Sequence, residues 1–242
     1  MSATGRSKRG GEGVDNFPTP AFCVHRFLEA WDVPVAHGLW LEPGAGDGAI
    51  VRAVQSFYMG EMQPKWVVTE IREEMRGPLS TLPNLAAPPI IGDFTKDDGT
   101  ERIFDVAFGN PPYRSALEFI RVALRRARHV AFLLRLNFLE SEGRHGFLKD
   151  NVPDVFVLPQ RPSFDGKGTD ATAYCWAHWR SEEPKSHGTV RILGLTPESE
   201  RSRRKAKEKP KGKTEPPVDA GPSMALEDVM HMEGYDVESE EP

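Results

Sequence analysis

The segment Phe104–Tyr113 reads FDVAFGNPPY and joins a strand to a proline-rich turn. Its apolar first half predicts a buried strand that ends at Gly109. The prolines that follow hold φ at about −65° and lack a backbone N–H, so the turn exposes carbonyl oxygens and does not continue as a helix. Asn110 adds a side-chain acceptor, Pro111 a main-chain acceptor and Tyr113 a planar ring. This combination suits a planar molecule with an –NH2 group, because two acceptors can bind the amine hydrogens while the ring stacks against it.

A second motif, LEPGAGDG, occupies Leu41–Gly48. It follows a short apolar run that predicts a strand, and from Ala49 onward apolar residues recur at helical spacing. A strand, a Gly-rich turn and a helix in this order are typical of a cofactor loop. Glycines let the backbone approach the ligand, and the N-terminus of the helix directs free N–H groups at a carboxylate. The motif departs from the dinucleotide pattern GxGxxG, which makes NAD a weaker alternative.

Together the two motifs resemble those of the amino-methyltransferases that use S-adenosylmethionine (SAM). NPPY matches their pattern of Asp, Asn or Ser, two prolines and an aromatic residue, and LEPGAGDG is similar to the SAM-binding motif of the adenine-N6 group. The NPPY form also occurs in glutamine methyltransferases that act on release factors. The resemblance covers residues 15–180 and implies an α/β, Rossmann-like class I methyltransferase fold. Such a fold has a mostly parallel seven-stranded sheet that ends in an antiparallel hairpin.

Two further strands are predicted to end in acidic residues. Lys65–Ile71 ends near Glu70, and an acid about twenty residues beyond a Gly-rich loop is placed to accept hydrogen bonds from ribose hydroxyls. Residues 88–94 form the next predicted strand, and the resemblance implies that Asp93 binds the adenine amine of SAM while Phe94 covers its ring. A helix cap explains Asp93 equally well.

The resemblance also assigns roles to two loops. Residues 15–20 read DNFPTP and precede an amphipathic helix, and the family's similar segment contacts the methionine end of SAM. Residues 159–170 form a long Gly- and Pro-rich loop. There Phe164 is implied to cover the far face of the target base and Arg161 to contact a phosphate or a base. Phe164 could equally pack into the core.

The predicted site residues lie in loops or at the carboxyl ends of strands, where ligands bind in such sheets. Those predicted to act in catalysis are Asn110, Pro111, Pro112 and Tyr113. Those predicted to bind SAM are Phe17, Thr19, Pro20, Glu42, Pro43, Gly44, Gly46, Asp47, Glu70, Ile71, Asp93, Phe94 and Asn110. Those predicted to bind the substrate are Tyr113, Arg161 and Phe164.

Composition divides the 242 residues into three parts. Residues 1–13 are predicted to be a flexible arm, 14–195 the methyltransferase domain, and 196–242 a disordered tail that is first basic and then acidic. The net charge of −5 argues against a globally basic nucleic-acid binder. The basic run at 201–213 could still add affinity for phosphates.

The sequence predicts neither a membrane-spanning segment nor a metal site. No run reaches the ~18 apolar residues of a membrane span and no signal peptide begins the chain, so we expect a cytoplasmic protein without membrane contact. Cys23 and Cys175 lie in separate apolar runs without a CxxC pair, which predicts free thiols. The seven histidines are scattered, so no metal site is predicted.

The function expected from the resemblance is methyl transfer from SAM to the N6 amine of adenine in DNA. The target base would have to flip out of the duplex and stack on Tyr113. Three alternatives remain: methylation of adenine in RNA, methylation of a protein glutamine, and a catalytically silent nucleic-acid-binding module with the same fold. No target-recognition domain follows the catalytic segment, so recognition would be borne by short loops, would involve single-stranded DNA or RNA, or would come from a protein partner.

Overall fold

The computed structural model describes residues 18–32, 37–58, 63–99, 101–164, 172–183 and 187–196. The predicted N-terminal arm and residues 197–242 of the predicted tail therefore lie outside the described residues. Thr196, which begins the predicted tail, is 3% exposed and therefore buried.

Eight strands among the described residues form one sheet. They are β1 (Leu39–Pro43), β2 (Lys65–Glu70), β3 (Ile90–Ile91), β4 (Phe104–Gly109), β5 (Ala127–Arg135), β6 (Asp154–Leu158), β7 (Tyr174–Arg180) and β8 (Val190–Ile192). Their spatial order is β3-β2-β1-β4-β5-β7-β6-β8. Strand β7 runs antiparallel to β5 and β6, and all other neighbouring pairs are parallel. The predicted mostly parallel sheet with a terminal antiparallel hairpin is confirmed, and β8 adds one strand to the seven expected.

Five α-helices accompany the sheet in the described part of the chain. They are α1 (Ala21–Ala30), α2 (Ala49–Phe57), α3 (Arg76–Ser80), α4 (Ala116–Arg126) and α5 (His145–Asp150). None of the described helices is both long and apolar enough to cross a membrane.

The sheet packs an apolar cluster against each of its faces, and β5 shows why. Successive side chains of a strand point to opposite faces. Ala131 and Leu133 join the cluster that includes buried residues of α1 and α2, whereas Phe132 and Leu134 join the cluster built with α4. A strand buried on both faces reads as a continuous apolar run, as the sequence of β5 does.

The order of the strands reverses direction between β1 and β4. The chain leaves β1 toward β2 and β3, and it leaves β4 toward β5. The loops that follow β1 and β4 therefore diverge from neighbouring strand ends and leave a crevice between them, which is where ligands bind in open α/β sheets. The Gly-rich turn of LEPGAGDG begins where β1 ends and NPPY follows β4, so the two motifs meet at this point.

Candidate active site

A cavity of about 360 Å³ opens at the carboxyl ends of β1, β2 and β4. It is lined by the segment before α1, the Gly-rich loop, the residues that follow β2 and β3, and the loop that begins with Asn110. Among the described residues, no group of three or more His, Cys, Asp or Glu side chains is arranged to hold a metal ion.

The Gly-rich loop takes a backbone conformation that requires glycine. Gly44 and Gly46 line the cavity with φ of 68° and 61°, in the left-handed region that side chains disfavour. Asp47 also lines the cavity, and its Oδ1 accepts the backbone N–H of Ala49 at 3.0 Å, at the start of α2. The loop thus brings its main chain, rather than bulky side chains, to the cavity.

The end of β2 holds this loop in place. Glu70 is 4% exposed, and its Oε2 accepts the backbone N–H of Gly46 at 2.8 Å. Its other oxygen, Oε1, accepts from the backbone N–H and the Nε of Arg72 at 3.1 and 2.9 Å. Thr69, the residue before, accepts the backbone N–H of Gly44 with its hydroxyl at 3.4 Å. Glu70 is therefore a structural support of the loop as well as a residue of the cavity wall.

Glu42, at the end of β1, is a buried carboxyl group in the same wall. It is 2% exposed, and no described residue forms a hydrogen bond with its Oε2. Burial raises the pKa of Glu42 well above its ordinary value, and the nearby charges of Asp47 and Glu70 act in the same direction. A buried acceptor without a partner in a cavity wall fits a ligand group that is cationic or carries N–H donors.

The far side of the cavity is formed by Ile71, Asp93 and Phe94. Ile71 is 56% exposed, although it is apolar. Oδ1 of Asp93 accepts from the backbone N–H and the hydroxyl of Thr95, at 3.0 and 2.6 Å, so Asp93 caps the short 3-10 helix Phe94–Lys96. The hydrogen bond from the Thr95 hydroxyl is the main reason that the pKa of Asp93 is lowered. The capping alternative for Asp93 is therefore observed, and the same residue also lines the cavity.

Asn110 presents an acceptor at the centre of the site. Its Nδ2 donates to the hydroxyl of Thr19 at 3.1 Å, and Thr19 is 6% exposed. Its Oδ1 is buried and forms no hydrogen bond with any described residue. Both residues line the cavity, together with Pro111 and Pro112. The amide is thus bonded at its donor end, while its buried acceptor end has no partner among the described residues.

Tyr113 has a charged group against its ring. The guanidinium carbon of Arg135, the last residue of β5, lies 4.5 Å from the ring centroid, within the range of a cation–π interaction. The ring of Tyr174 lies 5.9 Å from that of Tyr113. Burial raises the pKa of the Tyr113 hydroxyl above its usual range, so this group stays protonated at neutral pH.

Some predicted site residues do not line this cavity. Pro20 directly precedes α1, Pro43 ends β1, and Arg161 is exposed. The ring of Phe164 packs edge-on against Tyr174 at 5.3 Å, so Tyr174 contacts both Phe164 and Tyr113. The roles proposed for these residues stay predictions, and Phe17 lies outside the described residues.

Sequence reasoning missed four residues that shape the site: Thr69, Arg72, Arg135 and Tyr174. Arg72 and Arg135 had a usable signal, because each is a charged residue at or just beyond the carboxyl end of an apolar strand. Thr69 lies within β2 and Tyr174 begins β7, and neither residue carries such a signal.

The chain has the fold of the class I SAM-dependent methyltransferases. A type I restriction-modification system methyltransferase subunit from Streptococcus thermophilus is similar at a TM-score of 0.57 and 12% identity, over 75% of this chain and 48% of that one. A protein assigned as a class I SAM-dependent methyltransferase from Listeria monocytogenes gives 0.56 and 14%, over 76% and 68%. A dimethyladenosine transferase from Plasmodium falciparum gives 0.50 and 16%, over 70% and 63%. No protein-family model and no curated protein matches the chain.

Proposed function

We propose that the protein transfers the methyl group of SAM to the exocyclic N6 amine of adenine in DNA. One observation carries the proposal: Oδ1 of Asn110 is a buried acceptor that has no partner among the described residues, and Asn110 lines a cavity that the Gly-rich loop also lines. Such an acceptor is costly unless a ligand donates to it. The NPPY segment thus supplies a hydrogen-bond acceptor for a substrate amine beside a candidate cofactor site.

The residues of the cavity fit SAM. Glu42 would pair with the methionine ammonium group, and the Gly-rich loop and the start of α2 would receive its carboxylate. Glu70 keeps lone pairs for the ribose hydroxyls beyond the bonds it already accepts. Oδ2 of Asp93, which lies 3.7 Å from the ammonium group of Lys96, would accept from the adenine amine. Ile71 and Phe94 would cover the adenine ring. When bound, SAM supplies an electrophilic methyl group on a sulfonium.

The chain's own contribution to catalysis would be orientation. The lone pair of an adenine amine is delocalised into the ring, which makes the nitrogen a poor nucleophile. Asn110 Oδ1 and the carbonyl of Pro111 would accept the two amine hydrogens and hold the lone pair toward the methyl group. The C–N bond would form as the C–S bond of SAM breaks, and the amine would then lose a proton to water. No general base is needed beforehand, because the N–H becomes acidic as the nitrogen is methylated.

A base inside a duplex cannot reach such a cavity, so the target adenine would flip out. It would then stack on the face of Tyr113 opposite to Arg135. Arg135 would hold the ring in place and add favourable electrostatics to the stack.

The proposal of DNA as the substrate rests on two relatives in fold. One is the methyltransferase subunit of a restriction-modification system, and the other is a dimethyladenosine transferase. The first favours DNA and the second favours adenine. We further propose that the domain spans residues 14–195, that the basic run at 201–213 adds affinity for phosphates, and that a protein partner supplies target recognition.

The test is methyl transfer from radiolabelled SAM to duplex DNA, single-stranded DNA, RNA and a release factor in parallel, followed by nucleoside analysis. We expect N6-methyldeoxyadenosine, and we expect Asn110→Ala to lower kcat by about 10²–10³-fold while SAM affinity is retained. Asn151→Ala is the matched control, because this amide bonds to Phe147 and does not line the cavity. Label in RNA or protein alone would refute DNA as the substrate, and a fully active Asn110→Ala would refute the site.

A further inference from the structure

A hydrogen bond connects the segment before α1 to the loop after β4. The hydroxyl of Thr19 accepts from Nδ2 of Asn110 at 3.1 Å, although 91 positions separate the two residues. Thr19 is 6% exposed and lies in the cavity wall with Pro18. An amide nitrogen can only donate, so Thr19 must act as the acceptor in this pair.

The two ends of the Asn110 side chain are chemically opposite. The oxygen accepts hydrogen bonds and the nitrogen donates them, so rotation of the amide by half a turn would exchange the two in the cavity. A donor would then face the hydrogens of a target amine, and their interaction would be repulsive. The bond to Thr19 favours the orientation in which Oδ1, rather than Nδ2, is the atom without a partner in the described part of the chain.

We propose that Thr19 is a positioning residue that holds the Asn110 amide with its acceptor toward the target amine. This inference rests on the proposed function, since it concerns how the same site selects a donor. Thr19 acts through Asn110 and need not touch the substrate. The role differs from a contact of Thr19 with SAM, because it predicts an effect on the chemical step rather than on cofactor affinity.

The substitutions Thr19→Val and Thr19→Ser separate these roles. Valine keeps the shape and removes the acceptor, so kcat should fall by about 10-fold to 100-fold, with KM and the Kd for SAM unchanged. Serine keeps the hydroxyl and should restore most of the rate. Thr189→Val is the matched control, because the Thr189 hydroxyl donates to Asp154 at the opposite edge of the sheet. It should lower stability without lowering kcat.

A second measurement does not depend on turnover. The side-chain N–H signals of Asn110 can be identified in ¹H–¹⁵N spectra by their loss in Asn110→Asp. They should exchange slowly with water in the wild type and faster in Thr19→Val, because the variant lacks the acceptor.

The outcomes distinguish this inference from the function on which it rests. A wild type that methylates an amine, combined with a Thr19→Val variant of normal kcat, would overturn the role of Thr19 alone. A variant that loses only SAM affinity would also overturn it and would assign Thr19 to the cofactor. A wild type that methylates none of the acceptors would overturn the proposed function and the catalytic role of Thr19 with it, even if the exchange data show the bond.

Discussion

Oε2 of Glu70 accepts the backbone N–H of Gly46 at 2.8 Å, so a side chain at the end of β2 fixes the loop that follows β1. Arg72 in turn donates to Oε1 of Glu70 at 2.9 Å from its Nε. The buried carboxylate is therefore satisfied from two sides before any ligand binds. The residue that is predicted to bind ribose therefore also determines the shape of the Gly-rich loop.

Glu70→Ala should weaken SAM binding by about 10-fold to 100-fold, since charge-assisted hydrogen bonds each contribute about 1.5–3 kcal/mol. The variant should also melt earlier, because the N–H of Gly46 and the guanidinium of Arg72 both lose their acceptor. Calorimetric titration with SAM measures the first effect. Glu73→Ala is the matched control, because Glu73 is largely exposed and forms a surface ion pair with Arg76. Equal SAM affinity in the two variants would show that Glu70 does not bind SAM.

Glu42→Gln should stabilise the empty protein and weaken SAM binding. The pKa of the Glu42 carboxyl is raised in the folded state. Above the unfolded pKa of about 4.3, this carboxyl ionises in the unfolded chain while it stays protonated in the folded protein. The free energy of unfolding therefore falls as pH rises toward the folded pKa. Glutamine removes that penalty, and its neutral amide also loses the charge that would pair with an ammonium group. Thermal unfolding at neutral pH and SAM titration test the two effects together. Wild-type SAM affinity in a stabilised variant would show that Glu42 does not bind the cofactor.

The sheet could be predicted largely from strands bounded by prolines and glycines. The apolar run Asp154–Leu158 predicts a strand, and β6 has the same bounds because Pro153 and Pro159 flank it. Residues 88–94 were predicted as a strand, but only Ile90–Ile91 pair, since prolines precede them and Gly92 follows. Strand β8 was not predicted, because it is three residues long and its side chains are exposed. A strand without a buried face gives no periodic signal.

The cavity wall could be predicted where parallel strands end, because that geometry brings Glu42, Glu70 and Asn110 together regardless of side-chain detail. The partners of these residues could not be predicted in the same way. Thr19 reaches Asn110, and Arg135 reaches the ring of Tyr113, only through three-dimensional packing. Sequence spacing and hydrophobic periodicity contain no information about such pairs.

Acid should destabilise the sheet through His129, which lies near the amino-terminal end of β5. Nδ1 of His129 lies 3.2 Å from Nε2 of His178, and burial followed by the charge of Arg180 lowers the pKa of His129. The folded state thus favours the neutral ring of His129. Its contribution to the free energy of unfolding is fully present above the unfolded pKa of about 6.5 and is lost as pH falls through the lowered folded pKa. Denaturant unfolding between about pH 8 and 5.5 should show this slope, and His129→Gln should reduce it. The exposed His145, replaced in the same way, is the control. An unchanged slope in His129→Gln would assign the acid sensitivity to other groups.

The contact between Arg135 and Tyr113 gives the last prediction. If the guanidinium supports the ring on which the target base stacks, Arg135→Met should raise KM for the methyl acceptor by about 3-fold to 10-fold, as expected for a cation–π contribution near 1 kcal/mol. The Kd for SAM should not change. Tyr113→Ala should lose more, because base stacking contributes about 1–3 kcal/mol, whereas Tyr113→Phe should be nearly silent since it keeps the ring. Arg191→Met is the matched control, because Arg191 lies 5.3 Å over Phe156 and does not line the cavity. If Arg135→Met and this control have the same KM for the methyl acceptor, Arg135 does not support the ring of Tyr113. If Tyr113→Phe is as impaired as Tyr113→Ala, the hydroxyl group of Tyr113 carries its function.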